Sequence, residues 1–141
     1  EASKKIQSKF KNIDEAWAVY DQDGYTKHAE TFDLAKNLGI HIAFSATSFE
    51  YWILLHFEYT TTYFSKSEDI ISYLKKKNYI NYAKNSKDIY EKTLNNLEIA
   101  ITNAQRLRKD KEKTDYNIPI YSMNPYTDID IFFETFDCFC C

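Results

Sequence analysis

The 141-residue chain carries 18 basic and 21 acidic side chains, a formal net charge of -3, and 17% aromatic residues against only 2 Gly and 2 Pro. Those proportions describe one globular domain with few loops and an interior rich in rings, and they exclude low-complexity disorder and any global electrostatic pull toward nucleic acid. No apolar run approaches the ~18 residues of a membrane span, and EASKKIQSKF at the start lacks the apolar core of a signal peptide, so a soluble cytoplasmic protein with no membrane partner is expected.

Residues 2–11 are basic and weakly amphipathic, with Ile6 and Phe10 four apart, and predict a helix. Residues 16–20, AWAVY, are apolar on both parities, the pattern of a strand covered on two faces. KHAETFDLAKNLG fits helical spacing through Ala29, Phe32, Ala35 and Leu38, with Gly39 as its stop. Residues 40–44, IHIAF, read as a second strand. Strand, helix and strand at this spacing form a βαβ unit whose strands run parallel. Their carboxyl ends share one rim, which brings Asp21 and Asp23 beside Ser45 and Thr47, where open α/β sheets hold ligands.

TSFEYWILLHF predicts a buried helix, with Thr47 and Glu50 at capping-box spacing. Ser65 and Glu68 repeat that spacing ahead of Ile70, Ile71 and Leu74, and KKKNYINYAKN then reads as a polar connection. Between residues 86 and 113, Tyr90, Leu94, Leu97, Ile101, Ala104 and Leu107 step by three and four, predicting one long amphipathic helix with a basic far end. Residues 118–121 predict a short strand. Asn124 and Pro125 fit the N-cap and first position of a last helix through Ile129, Phe132 and Phe133. No repeat or linker interrupts residues 1–141, which form a single α/β domain with a helical C-terminal half.

Side chains at i and i+2 of an extended chain share a face, so Asp21 and Asp23 converge beyond the strand end. Paired carboxylates repel unless a hard cation sits between them, and Mg²⁺, with Mn²⁺ as its substitute, suits two carboxylates, waters and phosphate oxygens. The plain alternative is a tight turn, since Asp bonds its own backbone and Gly24 accepts positive φ. An EF-hand would need a glutamate at the twelfth position, where Phe32 stands. Residues 19–24 also resemble the DxDG motif of haloacid-dehalogenase phosphatases, in which Asp21 would attack phosphorus and Asp23 would act as acid and base. That reading lacks a lysine at a strand end, and Asp128 with Asp130 fall inside a predicted helix. Cys138, Cys140 and Cys141 argue for a reducing compartment, and three thiols in four residues fall short of a four-ligand zinc site.

The strings AWAVYDQDG, LGIHIAFSATSFEYWILLHF and NPYTDIDIFFE, in this order and spacing, resemble the RloB-like proteins, a family of Toprim-type nucleases predicted in bacterial restriction and abortive-infection loci. The resemblance spans residues 15 to 135, and its most specific piece is FEYWILLHF. It implies a small Toprim-like parallel sheet flanked by helices, Mg²⁺-dependent cutting of phosphodiesters in phage defence, and partnership with an ATPase. It implies further that Asp21 and Asp23 are the metal-binding pair and that Glu50 and His56 are the next site residues. Toprim domains also carry a glutamate in a Glu-Gly context after an earlier strand. Glu1 precedes Ala2 and Ser3, so that role is not carried to it, and the chain is expected to lack this segment, either as a fragment or as a catalytically incomplete molecule.

Each of these residues also has a structural reading. Glu50 suits the return half of a capping box, His56 a hydrogen-bonded core histidine, and Trp52 the core itself. His28 suits a solvated loop and His41 a strand. Ser45 and Ser48 lack the G-x-S-x-G elbow of a hydrolase nucleophile. Residues 75–77 and Arg106, Arg108, Lys109, Lys111 and Lys113 are basic clusters able to track phosphates, with interleaved acids making a solvated helix face the default. Tyr59, Tyr63 and Phe64 suit base stacking or, at this aromatic density, core packing. The sequence therefore points first to a Mg²⁺-dependent nuclease. A noncatalytic subunit binding an ATPase partner or nucleic acid is the second reading, and a phosphatase the third.

Overall fold

The computed structural model describes residues 15–137; the expected helix at residues 2–11 and the three cysteines lie outside them. Strand β1 (Ala16–Asp21) pairs in parallel with β2 (Ile40–Ala46), with Ala16 opposite Ile40 and Asp21 opposite Ser45. Helix α1 (His28–Leu38) makes the crossover between them. It ends where expected: Gly39 adopts φ 65° and its N–H returns to the carbonyls of Ala35 and Lys36.

The third strand, β3 (Tyr126–Thr127), runs antiparallel to β2, with Ser45 opposite Thr127 and Ala46 opposite Tyr126. The sheet is thus small and mixed, in the order β1-β2-β3, rather than wholly parallel. This placement explains the burial of the strands. Central β2 is fully buried from Ala43 to Ala46, whereas edge strand β1 is only half-buried and leaves Val19 49% exposed, so the two-sided cover expected for β1 is not seen.

Helix α2 (Phe49–Leu55) supplies the centre of the core through Tyr51, Trp52, Ile53, Leu54 and Leu55. Helix α3 (Ser67–Lys76) packs Ile70 and Leu74 against it, and each such side chain contributes about 1.5–3 kcal/mol when fully buried. The helix expected over residues 86–113 is broken into α4 (Ile89–Thr93), a 3-10 turn (Leu94–Asn96) and α5 (Leu97–Thr114). At the break Thr93 Oγ1 donates to the carbonyls of Ile89 and Tyr90, a back-bond that competes with the helical ladder. Beyond it, α5 presents Ala100, Ile101, Ala104 and Leu107 to the core.

The strand expected at residues 118–121 is instead a 3-10 turn at Ile120–Ser122. Asn124 is no N-cap: its Nδ2 donates to Thr47 Oγ1 at 2.7 Å and to the Phe64 carbonyl at 2.9 Å, and Pro125 leads into β3. The last helix, α6 (Ile129–Asp137), starts only after that strand has supplied β2 with a hydrogen-bonding neighbour. Neither capping box forms. Ser48 takes the N-cap position of α2 while Thr47 Oγ1 donates to the Phe64 carbonyl, and Ser65 Oγ donates to Asp69 rather than facing Glu68. Among the described residues no helix is long and apolar enough to cross a membrane.

Candidate functional site

The β1 ladder does not stop at Asp21. Gln22 N–H donates to the Ser45 carbonyl at 3.1 Å and Asp23 N–H to the Thr47 carbonyl at 3.3 Å, so the chain keeps bonding to the β2 side for two more residues. It then turns through Asp23 (φ 25°) and Gly24 (φ 70°), closed by Tyr25 N–H donating to the Gln22 carbonyl. A left-handed conformation suits glycine and is tolerated by aspartate, which accounts for the D-G at this point. The motif is therefore a turn, and Asp21 and Asp23 both line one cavity of about 210 Å³ at the sheet rim.

Glu50 enters the same cavity from the first turn of α2. It is 5% exposed, and its Oε1 accepts a hydrogen bond from the Tyr82 hydroxyl at 2.9 Å rather than closing a capping box. Burial, together with that bond and the charge of Glu50, raises the pKa of Tyr82 and keeps its proton on the phenol. Asp21 Oδ2 accepts the Phe49 N–H at 3.2 Å. Even so its pKa is raised, first by burial and then by the charges of Asp23 and Glu50, which outweigh the Phe49 bond. Asp21 therefore senses the charges of the other two acids.

Three further residues of the cleft were not singled out for this site by the sequence. Ser48 is 1% exposed, and its hydroxyl finds no hydrogen-bond partner among the described residues. Lys84, from the connection after α3, donates to Ser67 Oγ at 2.9 Å, lies 3.8 Å from Glu68 Oε1 and also lines the cavity. Tyr82, two residues earlier, reaches Glu50. Residues 77–85 read only as a polar connection because Tyr82 and Lys84 lie some sixty residues from Asp21 and belong to no periodic pattern.

The donor set fits a hard cation. It is made of carboxylate oxygens and an unpartnered hydroxyl, and a divalent ion would relieve the repulsion that burdens Asp21. Among the described residues no group of three or more His, Cys, Asp or Glu side chains is gathered tightly enough to hold a metal unaided. Such a site suits an ion held by one or two carboxylates and completed by water and substrate oxygens, which is the habit of Mg²⁺.

His56 is placed elsewhere. It ends α2, with Nδ1 donating to the Trp52 carbonyl at 3.0 Å, and lines a separate apolar cavity with Trp52, Ile53, Leu97 and Phe133. Burial lowers its pKa, so it stays neutral as a core histidine would. His41 stacks on Trp17 at 4.8 Å. His28, expected in a solvated loop, is 6% exposed.

The basic run is spent on neighbours: Arg108 on Asp130, Lys111 on Asp115, and Arg106 over the ring of Tyr59 at 3.9 Å. Phe64 is core and Tyr63 is exposed, and none of these residues lines the cleft. Ser45 Oγ donates to the Ser48 carbonyl, which occupies it structurally. Asp128 and Asp130, the later acids that a phosphatase would require, are also engaged: Asp128 Oδ1 accepts the Phe44 N–H at 2.6 Å, and Asp130 pairs with Arg108.

The family model described as RloB-like protein matches residues 1–136. No curated protein and no solved structure matches the chain.

Proposed function

We propose a function from one premise: this chain belongs to the RloB-like protein family. On that premise the protein is a Mg²⁺-dependent nuclease of bacterial phage defence, with the Toprim-like cleft of Asp21, Asp23 and Glu50 as its centre. It works in the cytoplasm with nucleic acid as substrate and an ATPase as partner protein. The observation that carries the reading is the meeting of those three acids in one cavity with Lys84 on its wall.

Asp21 and Asp23 would hold the ion. When bound, Mg²⁺ or Mn²⁺ neutralises charge on a phosphate and lowers the pKa of a coordinated water. Glu50, steadied by Tyr82, is the carboxylate to complete the ligand set or to take a proton from the attacking water. Lys84 offers an ammonium to a non-bridging phosphate oxygen, and Ser48 offers an unused hydroxyl. A phosphatase reading is not favoured, because Asp128 and Asp130 serve the fold. One observation favours a noncatalytic subunit that binds an ATPase or nucleic acid: the acids do not form a ready three-ligand cage among the described residues.

The test is cleavage of labelled single-stranded RNA, single-stranded DNA and duplex DNA with Mg²⁺ or Mn²⁺. Wild type should cut at least one substrate, EDTA should abolish cutting, and Asp21→Asn or Asp23→Asn should reduce it by roughly a hundredfold. Cutting that survives EDTA or either substitution overturns the proposal. Strand binding without cutting supports the noncatalytic reading.

A further inference from the structure

Between the two acids of the rim stands Gln22, whose backbone N–H, side-chain amide N–H and carbonyl are each held. Its N–H donates to the Ser45 carbonyl, its side-chain Nε2 to the Tyr121 carbonyl at 3.1 Å, and its own carbonyl accepts the Tyr25 N–H at 2.9 Å. That carbonyl has a second partner, His28 Nε2 at 3.2 Å. Because a carbonyl only accepts, Nε2 carries a proton, and Nδ1 is buried without a partner among the described residues.

Four aromatic rings pack around the imidazole. It stacks between Tyr20 (6.0 Å, 8°) and Tyr121 (6.4 Å, 14°) and meets Tyr25 and Phe44 edge-on. Gln22 reaches Tyr121 and does not line the cavity of Asp21 and Asp23. His28 accordingly does not line the acid cleft. An aromatic box this well packed around one imidazole, with a single N–H spent on the residue between two acids, is more than a solvated loop requires.

We propose that His28 is a positioning residue, whose Nε2–H clamps the Gln22 carbonyl and so sets the spacing of Asp21 and Asp23 for a divalent ion. The inference rests on the metal-binding reading of the cleft. Partners of this kind typically alter metal affinity by tenfold or more without touching the ion.

Two substitutions separate positioning from packing. Glutamine places an amide N–H where Nε2 stood, whereas asparagine places it near Nδ1 and cannot reach Gln22. Mn²⁺ binding to wild type, His28→Gln and His28→Asn would be measured by electron paramagnetic resonance. Melting temperature and amide exchange at Tyr25 would be recorded in parallel. His28→Asn should weaken Mn²⁺ binding about tenfold and accelerate Tyr25 exchange, while His28→Gln stays within about threefold of wild type and melts at a similar temperature to the asparagine variant. The proposal is overturned by asparagine binding Mn²⁺ as wild type does, or by glutamine proving as impaired as asparagine. A wild type that binds no Mn²⁺ would instead refute the metal reading, and Tyr25 exchange in the two variants would still decide whether His28 clamps the loop.

Discussion

Two Asp-x-Asp pairs stand at strand ends in this chain, Asp21 with Asp23 after β1 and Asp128 with Asp130 after β3, and their surroundings differ. The second pair enters a helix, where i and i+2 do not face one another. Its members separate accordingly, Asp128 to the Phe44 N–H and fully buried Asp130 to a two-toothed contact with Arg108 and its guanidinium. Burial disfavours the charge on Arg108, but Asp130 more than offsets it and the guanidinium pKa is raised. The first pair sits at a strand end that runs into a turn, lines one cavity with Glu50, and has no basic partner hydrogen-bonded to either acid among the described residues. Identical spacing yields a pair tied into the core or a pair facing a cavity according to local backbone and to whether a cationic side chain is built in.

Breaking the structural pair should have the largest effect. Arg108→Met leaves Asp130 charged in the core, and urea unfolding should show a loss of roughly 3–5 kcal/mol. Asp128 is the next lever. Burial pushes its carboxyl from 3.8 to about 6, so the folded state holds this proton more tightly than the unfolded chain. Its stabilising contribution is present below about pH 4 and lost as pH rises through about 6. Asp128→Asn, which keeps an acceptor for the Phe44 N–H, should flatten that part of the stability profile and gain up to roughly 3 kcal/mol at pH 7.

Smaller effects are expected in the cleft. Tyr82→Phe removes the hydroxyl bonded to Glu50 and should cost about 1 kcal/mol by thermal unfolding. Asp21→Asn removes like-charge repulsion, so without metal it should leave stability unchanged or raise it by under about 1 kcal/mol at pH 7. The sign follows from the raised pKa of Asp21: its contribution is present at acid pH and lost as pH rises through the folded value. A marked loss of stability in Asp21→Asn would make the two pairs alike and remove the contrast.

The βαβ unit was legible because its signals are local: an apolar run, helical spacing and a glycine stop at Gly39. The rim acids were legible as a pair for the same reason, although Asp23 reaches the cavity of Asp21 from a turn rather than by strand alternation. Strand β3 was not, because two residues paired with β2 across some eighty positions leave no period to detect. Glu50 looked like a cap because the box spacing was present, and Tyr82 claimed it through tertiary contact. His56 carried the family phrase but follows the apolar face of α2 into a different cavity. Tyr82, Lys84 and the burial of His28 depend on how distant segments meet, which no short window contains.

Crystals of wild type and Asp21→Asn soaked in Mn²⁺ test the cleft most directly by anomalous diffraction. Wild type should show a peak within coordination distance of both Asp21 and Asp23, and the variant should lose it. A wild-type rim without density, or a peak unchanged by Asp21→Asn, would contradict the assignment of this pair to a divalent ion.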